Sequence, residues 1–311
     1  MKILVTGAAG CIGSNLCSAL LNKGDYVVGI DNYITGRKEN IEELTKHHRF
    51  SFLNFDITEP FSYCPDNIFD GISRIYHLAC PTGVPNLTRL SEEMIQTCST
   101  GTNNVLQLAR QHNARVVFTS SSEVYGDPKE SPQKISYTGN VDPTGVRSPY
   151  EEGKRFSETL CTMYVRKYGV DARIVRVFNT YGPHMSSRDE RVIPTLLIQA
   201  GQQKPLSIHG NGSQIRTFCY VDDLVNALTT IMEQGSAGSV YNAGSDKQVT
   251  IRELAETIKK LTKTTATITT IPRPSHDHQS RLPDLTELKQ LGWKLTVSLT
   301  EGLERTIQSM R

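Results

Sequence analysis

Residues 2–31 read KILVTGAAGCIGSNLCSALLNKGDYVVGID. Lys2–Thr6 is a short apolar run, the glycines Gly7, Gly10 and Gly13 follow at once, a helical pattern runs from about Ser14, and Tyr26–Asp31 is a second β-rich run. A strand that turns through glycine into a helix and returns as a strand is a parallel βαβ unit. In such a turn glycines permit the tight bend, let backbone amides approach a pyrophosphate, and allow helix and strand to pack closely, while the helix N-terminus favours negative charge. A glycine-rich loop alone also suits a plain turn. Here Asp31 ends the next strand, where a carboxylate hydrogen-bonds both ribose hydroxyls and repels a 2′-phosphate. The expected cofactor is therefore NAD, although the nearby Arg37 and Lys38 keep NADP open.

Outward from this unit, β-rich runs recur at Phe50–Phe55, Arg74–Ala79 and Arg115–Ser120, with helical periodicity over Thr100–His112 and Pro149–Tyr168. Alternation of this kind predicts an α/β fold with a doubly wound parallel sheet, which Ala172–Val177 and Ser239–Ala243 extend. Past about Thr180, proline and glycine punctuate the chain at Gly182-Pro183, Lys204-Pro205 and Gly210–Gly212. A smaller C-terminal lobe is expected there. The division is residues 1–180 for the cofactor domain, with 217–245 returning to it, and 181–311 mainly for the lobe. Asp56 and Ile57, just after the third strand, suit the edge and face of an adenine; a carboxylate capping a turn fits equally well. Cys11, Ile12, Asn32, Leu78 and Ala79 complete the expected cofactor contacts.

Tyr150 and Lys154 stand at i,i+4, on one face of a helix. A phenol of pKa about 10 must be lowered to act as a base near neutrality, and an adjacent ammonium favours the phenolate. YxxxK is common by chance, so its weight comes from position. The strand Arg115–Ser120 ends in Ser121, Ser122 and Glu123, and open parallel sheets bind ligands at the carboxyl ends of their strands. A hydroxyl there shares a proton with Tyr150, completing a relay that takes a hydride and a proton from an alcohol.

Composition excludes several classes. Lys and Arg number 34 against 32 Asp and Glu, scattered and without a basic run, so nucleic acid is not an expected partner. No apolar stretch approaches the roughly 20 residues of a membrane span, and the chain reads as cytoplasmic. The seven cysteines, with no CxxC pair, read as reduced thiols; neither Cys nor His falls at zinc-ligand spacing, so no metal is expected.

Taken in order, GAAGCIG, IYHLA, SSSEVYGDP, SPYEEGKR, FNTYGP and RTFCYVDDL resemble the extended short-chain dehydrogenases over nearly the whole chain. DNYITGRKENIE, DITEP, SEVYGDP, YEEGKR and GSQIRTF are most similar to the UDP-glucuronate decarboxylases of that superfamily. The resemblance implies a Rossmann fold, NAD, a UDP-sugar substrate, and a homodimer formed through the helices bearing Thr100–His112 and Tyr150. It also implies oxidation at the sugar C-4, loss of carbon dioxide, and re-reduction to UDP-xylose, with Tyr150, Lys154, Ser121, Ser122 and Glu123 catalytic. Glu123 would serve as the proton source at carbon 5, or else pair structurally with a nearby base. Substrate contacts implied are Pro81, Thr82, Asn179, Arg188, Val192, Arg216 and Arg281.

A 4-epimerase would share the first step, a dehydratase resembling this group carries Asp at the position of Ser122, and an NAD-binding module without turnover would lack Tyr150 or Lys154. The pattern departs at Cys80–Asn86, where the decarboxylases carry a Ser- and Pro-rich loop. It departs also at Cys98, where the superfamily usually has Asn; at His184, which replaces a usual Arg; and at Ser121, which replaces a usual Thr.

Overall fold

In the computed structural model, which describes residues 1–186, 189–272 and 281–310, alternate side chains of the first strand enter two different cores. Strand β1 (Lys2–Thr6) sends Ile3 and Val5 to one side and Leu4 to the other, all fully buried. That is the period of two expected of a strand covered on both faces. Strands β2 (Tyr26–Asp31), β3 (Phe50–Asn54), β4 (Ile72–His77), β5 (Arg115–Ser121) and β6 (Ala172–Val177), with the strand Val240–Ala243, complete a seven-stranded parallel sheet. Its order is 240–243, β6, β5, β4, β1, β2, β3. The expected doubly wound α/β sheet is present, and all seven expected runs lie in it.

One core joins helix α1 (Cys11–Asn22) and the helix Val221–Gln234 to the sheet, through Leu16, Leu20, Leu224 and Leu228. The other holds the helices Thr102–His112 and Ser148–Tyr168, through Val105, Leu106, Cys161 and Tyr164. The first core runs on without a break into the C-terminal segments, taking in Ile193, Leu254, Leu288, Trp293 and Leu303. Two-stranded sheets form here from Thr180–Tyr181 with Cys219–Tyr220, Ile215–Thr217 with Gln248–Thr250, and Leu206–His209 with Ile268–Ile271. Buried Asp223 fastens these segments: its carboxylate accepts the backbone amides of Thr296 and Val297, and its carbonyl accepts Trp293 Nε1.

Two of the boundaries that differ from expectation bear on the site. Helix α1 begins at Cys11 rather than near Ser14, because Gly10 is extended and caps it while Gly13 lets the turn pass close by. Strand β4 ends at His77, two residues early, although the Leu78 amide still donates to the Thr6 carbonyl at 3.2 Å. Among the described residues no helix is long and apolar enough to cross a membrane.

Candidate active site

From β1 the chain winds outward to β2 and β3, then crosses back to β4 and continues the other way. The reversal opens a crevice at the carboxyl ends of the strands, between β1 and β4. One cleft occupies this place, lined by Gly7 and Gly10 after β1, Asp31 at the end of β2, Leu78 and Ala79 after β4, and residues 119–122 at the end of β5.

Backbone sterics shape the β1 side. Gly7 has φ +74°, and a Cβ on it would lie 2.9 Å from the Ala79 nitrogen. A Cβ on Gly13 would stand 2.0 Å from the Gly7 carbonyl oxygen, a backbone overlap that only glycine avoids. Asp31, nearly buried, accepts the Ala9 amide at 3.0 Å on one oxygen and the Tyr33 amide at 2.8 Å on the other. Burial raises its pKa, against those two bonds, and each oxygen can accept a further hydrogen bond. Asp56 accepts Asn32 at 2.8 Å and Thr58 at 2.9 Å; burial would raise its pKa, but these bonds outweigh burial and hold it low. Both the turn-capping role and a place in the cleft are thus real for Asp56. Cys11, Ile12, Asn32 and Ile57 line the cleft as expected. A glycine cradle at a helix N-terminus with a carboxylate at the next strand's end fits a dinucleotide. Arg37 does not join them: its guanidinium donates to Asn40 at 2.9 Å, away from the residues that line the cleft.

Across the cleft, Ser148–Tyr168 starts with proline in its first turn and ends at Gly169, φ +69°. It brings Tyr150 and Lys154 beside Ser121, Ser122 and Glu123. Buried Lys154 donates to the Thr119 carbonyl at 2.9 Å, and Ser121 hydrogen-bonds the Tyr150 phenol. The helix is fixed by Glu158, which accepts Ser120 Oγ at 2.6 Å and Arg176 Nε and Nη2 at 2.9 and 2.8 Å. The expectation of a lowered phenol pKa is corrected here. Burial raises Tyr150, outweighing the Lys154 ammonium and the Ser121 bond, so the phenol is protonated in this structure.

Glu123 sits between two guanidiniums, ion-paired to Arg147 and doubly to Arg281. Burial alone would raise its pKa, yet the two arginines hold the carboxyl far below its ordinary range. It is therefore an ionised acceptor here, and the expected role as proton donor does not belong to this arrangement. Arg281 reaches it from 158 positions away because Gln133 docks its segment, donating its amide to the Leu282 carbonyl at 2.8 Å and accepting the Leu282 amide at 2.8 Å.

Pro81, Thr82 and Asn179 line the cleft as expected. Val192 does not; it packs on the apolar core, because it opens the helix Val192–Gly201, whose buried face is apolar. Arg216, in the strand Ile215–Thr217, donates to the Ile215 carbonyl and lies outside the lining, as does Arg281. Arg188 lies outside the described residues. His184, φ +69°, pairs with Ser14 Oγ at 2.9 Å and so ties the FNTYGP loop to α1.

Sequence reasoning missed two cations, Arg147 and Arg191, both lining the cleft. Arg147 was findable from its i,i+4 pairing with Glu151 at 3.0 Å, at the helix start. Arg191, paired with Asp189, carries no comparable signal. Also unforeseen is a buried polar chain: Thr6 Oγ1 meets His77 Nδ1 at 2.8 Å, His77 Nε2 meets Thr102 Oγ1 at 3.1 Å, and Thr102 meets Ser157 at 3.3 Å. Burial, with help from Lys154, lowers the His77 pKa to about 3, so the ring is neutral. Among the described residues no cluster of three or more His, Cys, Asp or Glu side chains could hold a metal ion.

Residues 3–244 match the NAD dependent epimerase/dehydratase family. The chain is 43% identical to UDP-glucuronic acid decarboxylase 1 of Arabidopsis thaliana, over 100% of this chain and 70% of that protein. It is 44% identical to UDP-glucuronic acid decarboxylase 6 of the same plant, over 97% of this chain and 87% of that one. Among solved structures, UDP-glucuronic acid 4-epimerase from Bacillus cereus, in complex with UDP-glucuronic acid and NAD, superposes with a TM-score of 0.89 at 30% identity, covering 100% and 99% of the two chains.

Proposed function

Since the chain belongs to the NAD dependent epimerase/dehydratase family, we propose that it decarboxylates UDP-glucuronate to UDP-xylose. The observation that carries this reading is one cleft holding Tyr150, Lys154 and an ionised Glu123, in a chain like the decarboxylases along its full length. Residues 1–180 with 217–245 hold the cofactor on this reading, and 181–311 mainly the nucleotide sugar. Gly7, Gly10, Gly13 and Asp31 would hold NAD, which when bound would supply the hydride acceptor and then return that hydride to the 4-ketone.

Tyr150, protonated at rest, passes its own proton to the Ser121 hydroxyl relay as it takes that of the sugar 4-hydroxyl, and Lys154 offsets part of the burial cost of the negative charge that develops on the phenol. The resulting 4-ketone is β to the carboxylate, so carbon dioxide leaves with its bonding electrons delocalised into an enolate. Carbon 5 then needs a proton. A substrate carboxylate that competes for Arg147, which lines the cleft, removes one of the two charges that hold Glu123 ionised; its proton affinity then rises, as a donor to carbon 5 requires.

The reading extends to a homodimer through the Tyr150 helix, supported by Ile95 and Phe156, both 49% exposed on neighbouring helices, and to a cytoplasmic location. Val105, Leu106 and Leu108 belong instead to the chain's own core.

The test is incubation of the protein with UDP-glucuronate and NAD, with products followed by mass and proton NMR. Loss of the mass of carbon dioxide with a reduced carbon 4 is the expected result. Unchanged mass with carbon 4 inverted would replace the reading with 4-epimerisation.

A further inference from the structure

Two of the four departures from the family pattern meet in space. Cys80, at the head of the loop whose Pro81 and Thr82 line the cleft, and Cys98, in a wide π-type turn at Thr97–Gly101, bring their sulfurs to 3.6 Å. We propose that Cys80 and Cys98 form a reversible disulfide that switches the active site off when a hydroperoxide reaches the cleft.

The surroundings suit such chemistry. Cys80 lines the cleft and is only partly buried, whereas Cys98 is buried behind it, so oxidant has a path to the pair. The two sulfurs share a hydrogen bond; it, aided by Lys154 and Ser157 and opposed by burial, holds Cys98 below an ordinary thiol, while Cys80 is pushed up. A thiolate next to a second thiol is the arrangement that forms a disulfide rather than stopping at sulfenic acid.

The thiolate of the pair attacks the O–O bond, so an S–O bond forms, the alkoxide leaves and takes up a proton, and sulfur loses two electrons to the peroxide. The second sulfur then displaces hydroxide from the sulfenic acid: the S–S bond forms, the S–O bond breaks, and the remaining thiol proton leaves in water. Two thiols and one hydroperoxide give one disulfide, one alcohol and one water.

Closure draws the sulfurs from 3.6 Å to about 2 Å. Cys98 has little room on its other side: a Cβ on Gly153 would lie 3.2 Å from its Cβ, Ser157 Oγ donates to its carbonyl at 2.6 Å, and Lys154 follows Gly153. The 80–85 loop therefore moves toward the turn, taking Pro81 and Thr82 with it. A displacement near 1 Å at a catalytic site costs up to about a hundredfold in rate.

The experiment treats the NAD-loaded protein with a slight excess of hydrogen peroxide, then maps peptides after alkylation under denaturing conditions and assays turnover before and after dithiothreitol. A Cys80–Cys98 cross-linked peptide, a chain lighter by about 2 Da, and turnover at least about tenfold lower and restored by dithiothreitol are expected. In Cys80→Ser and in Cys98→Asn the cross-link is absent and the ratio of treated to untreated turnover stays near one. A disulfide at another cysteine pair, Cys98 recovered only as sulfinic acid, or a cross-linked protein with undiminished turnover would overturn the proposal. The effect on turnover rests on the decarboxylase reading, but the peptide map does not, so the two fail separately.

Discussion

The two walls of the cleft are built by different forces. On the β1 side, backbone does the shaping: glycines at 7 and 13 occupy space that no Cβ could share, and Asp31 is pinned by the amides of Ala9 and Tyr33. On the far side, charged side chains drawn from distant segments hold one another, with Glu123 between Arg147 and Arg281 and Glu158 clasping Arg176 and Ser120. A wall of excluded volume is rigid and indifferent to ligand charge. A wall of compensated charges can exchange partners when a charged substrate arrives, at the cost of leaving buried ions exposed to loss of any one partner.

Tyr150 belongs to the charged wall but serves chemistry directed at both. Tyr150→Phe is expected to lower turnover by about 10²–10⁴-fold with NAD affinity unchanged by calorimetric titration; retention of a tenth of the activity would remove Tyr150 as the base. Gly13→Ala attacks the rigid wall. Its Cβ would meet the Gly7 oxygen at 2.0 Å, so unfolding free energy in urea should fall by about 3 kcal/mol, and NAD should bind more weakly. Normal NAD affinity in a folded variant would mean that this wall yields more than its packing implies.

Glu123→Gln is the complementary cut. It leaves Arg147 and Arg281 without their shared carboxylate, and carbon dioxide release should drop by about a hundredfold while the NAD dissociation constant stays put. A shift in that constant would show the walls to be coupled.

One connection between them is already visible, the chain Thr6–His77–Thr102–Ser157. His77 is held neutral, with its pKa lowered from 6.5 to about 3, first by burial and then by Lys154. The unfolded chain takes up a proton there between those values and the folded one does not. Stability from this group is therefore complete above pH 6.5 and is lost as pH falls toward 3, by roughly 2 kcal/mol at pH 5. Denaturation curves at pH 7 and pH 5 should differ by about that amount more in the parent than in His77→Gln; equal differences would acquit His77.

The legible part of the site lies on the rigid wall. Gly7, Gly10, Gly13 and Asp31 declared themselves because the strand–turn–helix pattern around them is local and each glycine answers a steric demand within a few residues. Tyr150 and Lys154 were legible for the same reason, being one helical turn apart. Arg37 and Val192 lie outside the cleft lining because proximity in sequence to a site residue does not tell which way a side chain turns. Arg147 had a local signal that went unread, its spacing to Glu151.

By itself the sequence determined the seven strands, their parallel sheet, the crevice at its switch point, and the residues that face it through periods of two and of 3.6, since these follow from interactions that reach only a few positions along the chain. Tertiary structure alone decided that Glu123 is ionised by an arginine 158 positions away, that Tyr150 is protonated at rest, and that Cys80 and Cys98 touch. Those outcomes depend on burial and on distances between segments far apart in the chain. Neither quantity is written in spacing, because charge energies are set by the medium and the separation that folding creates.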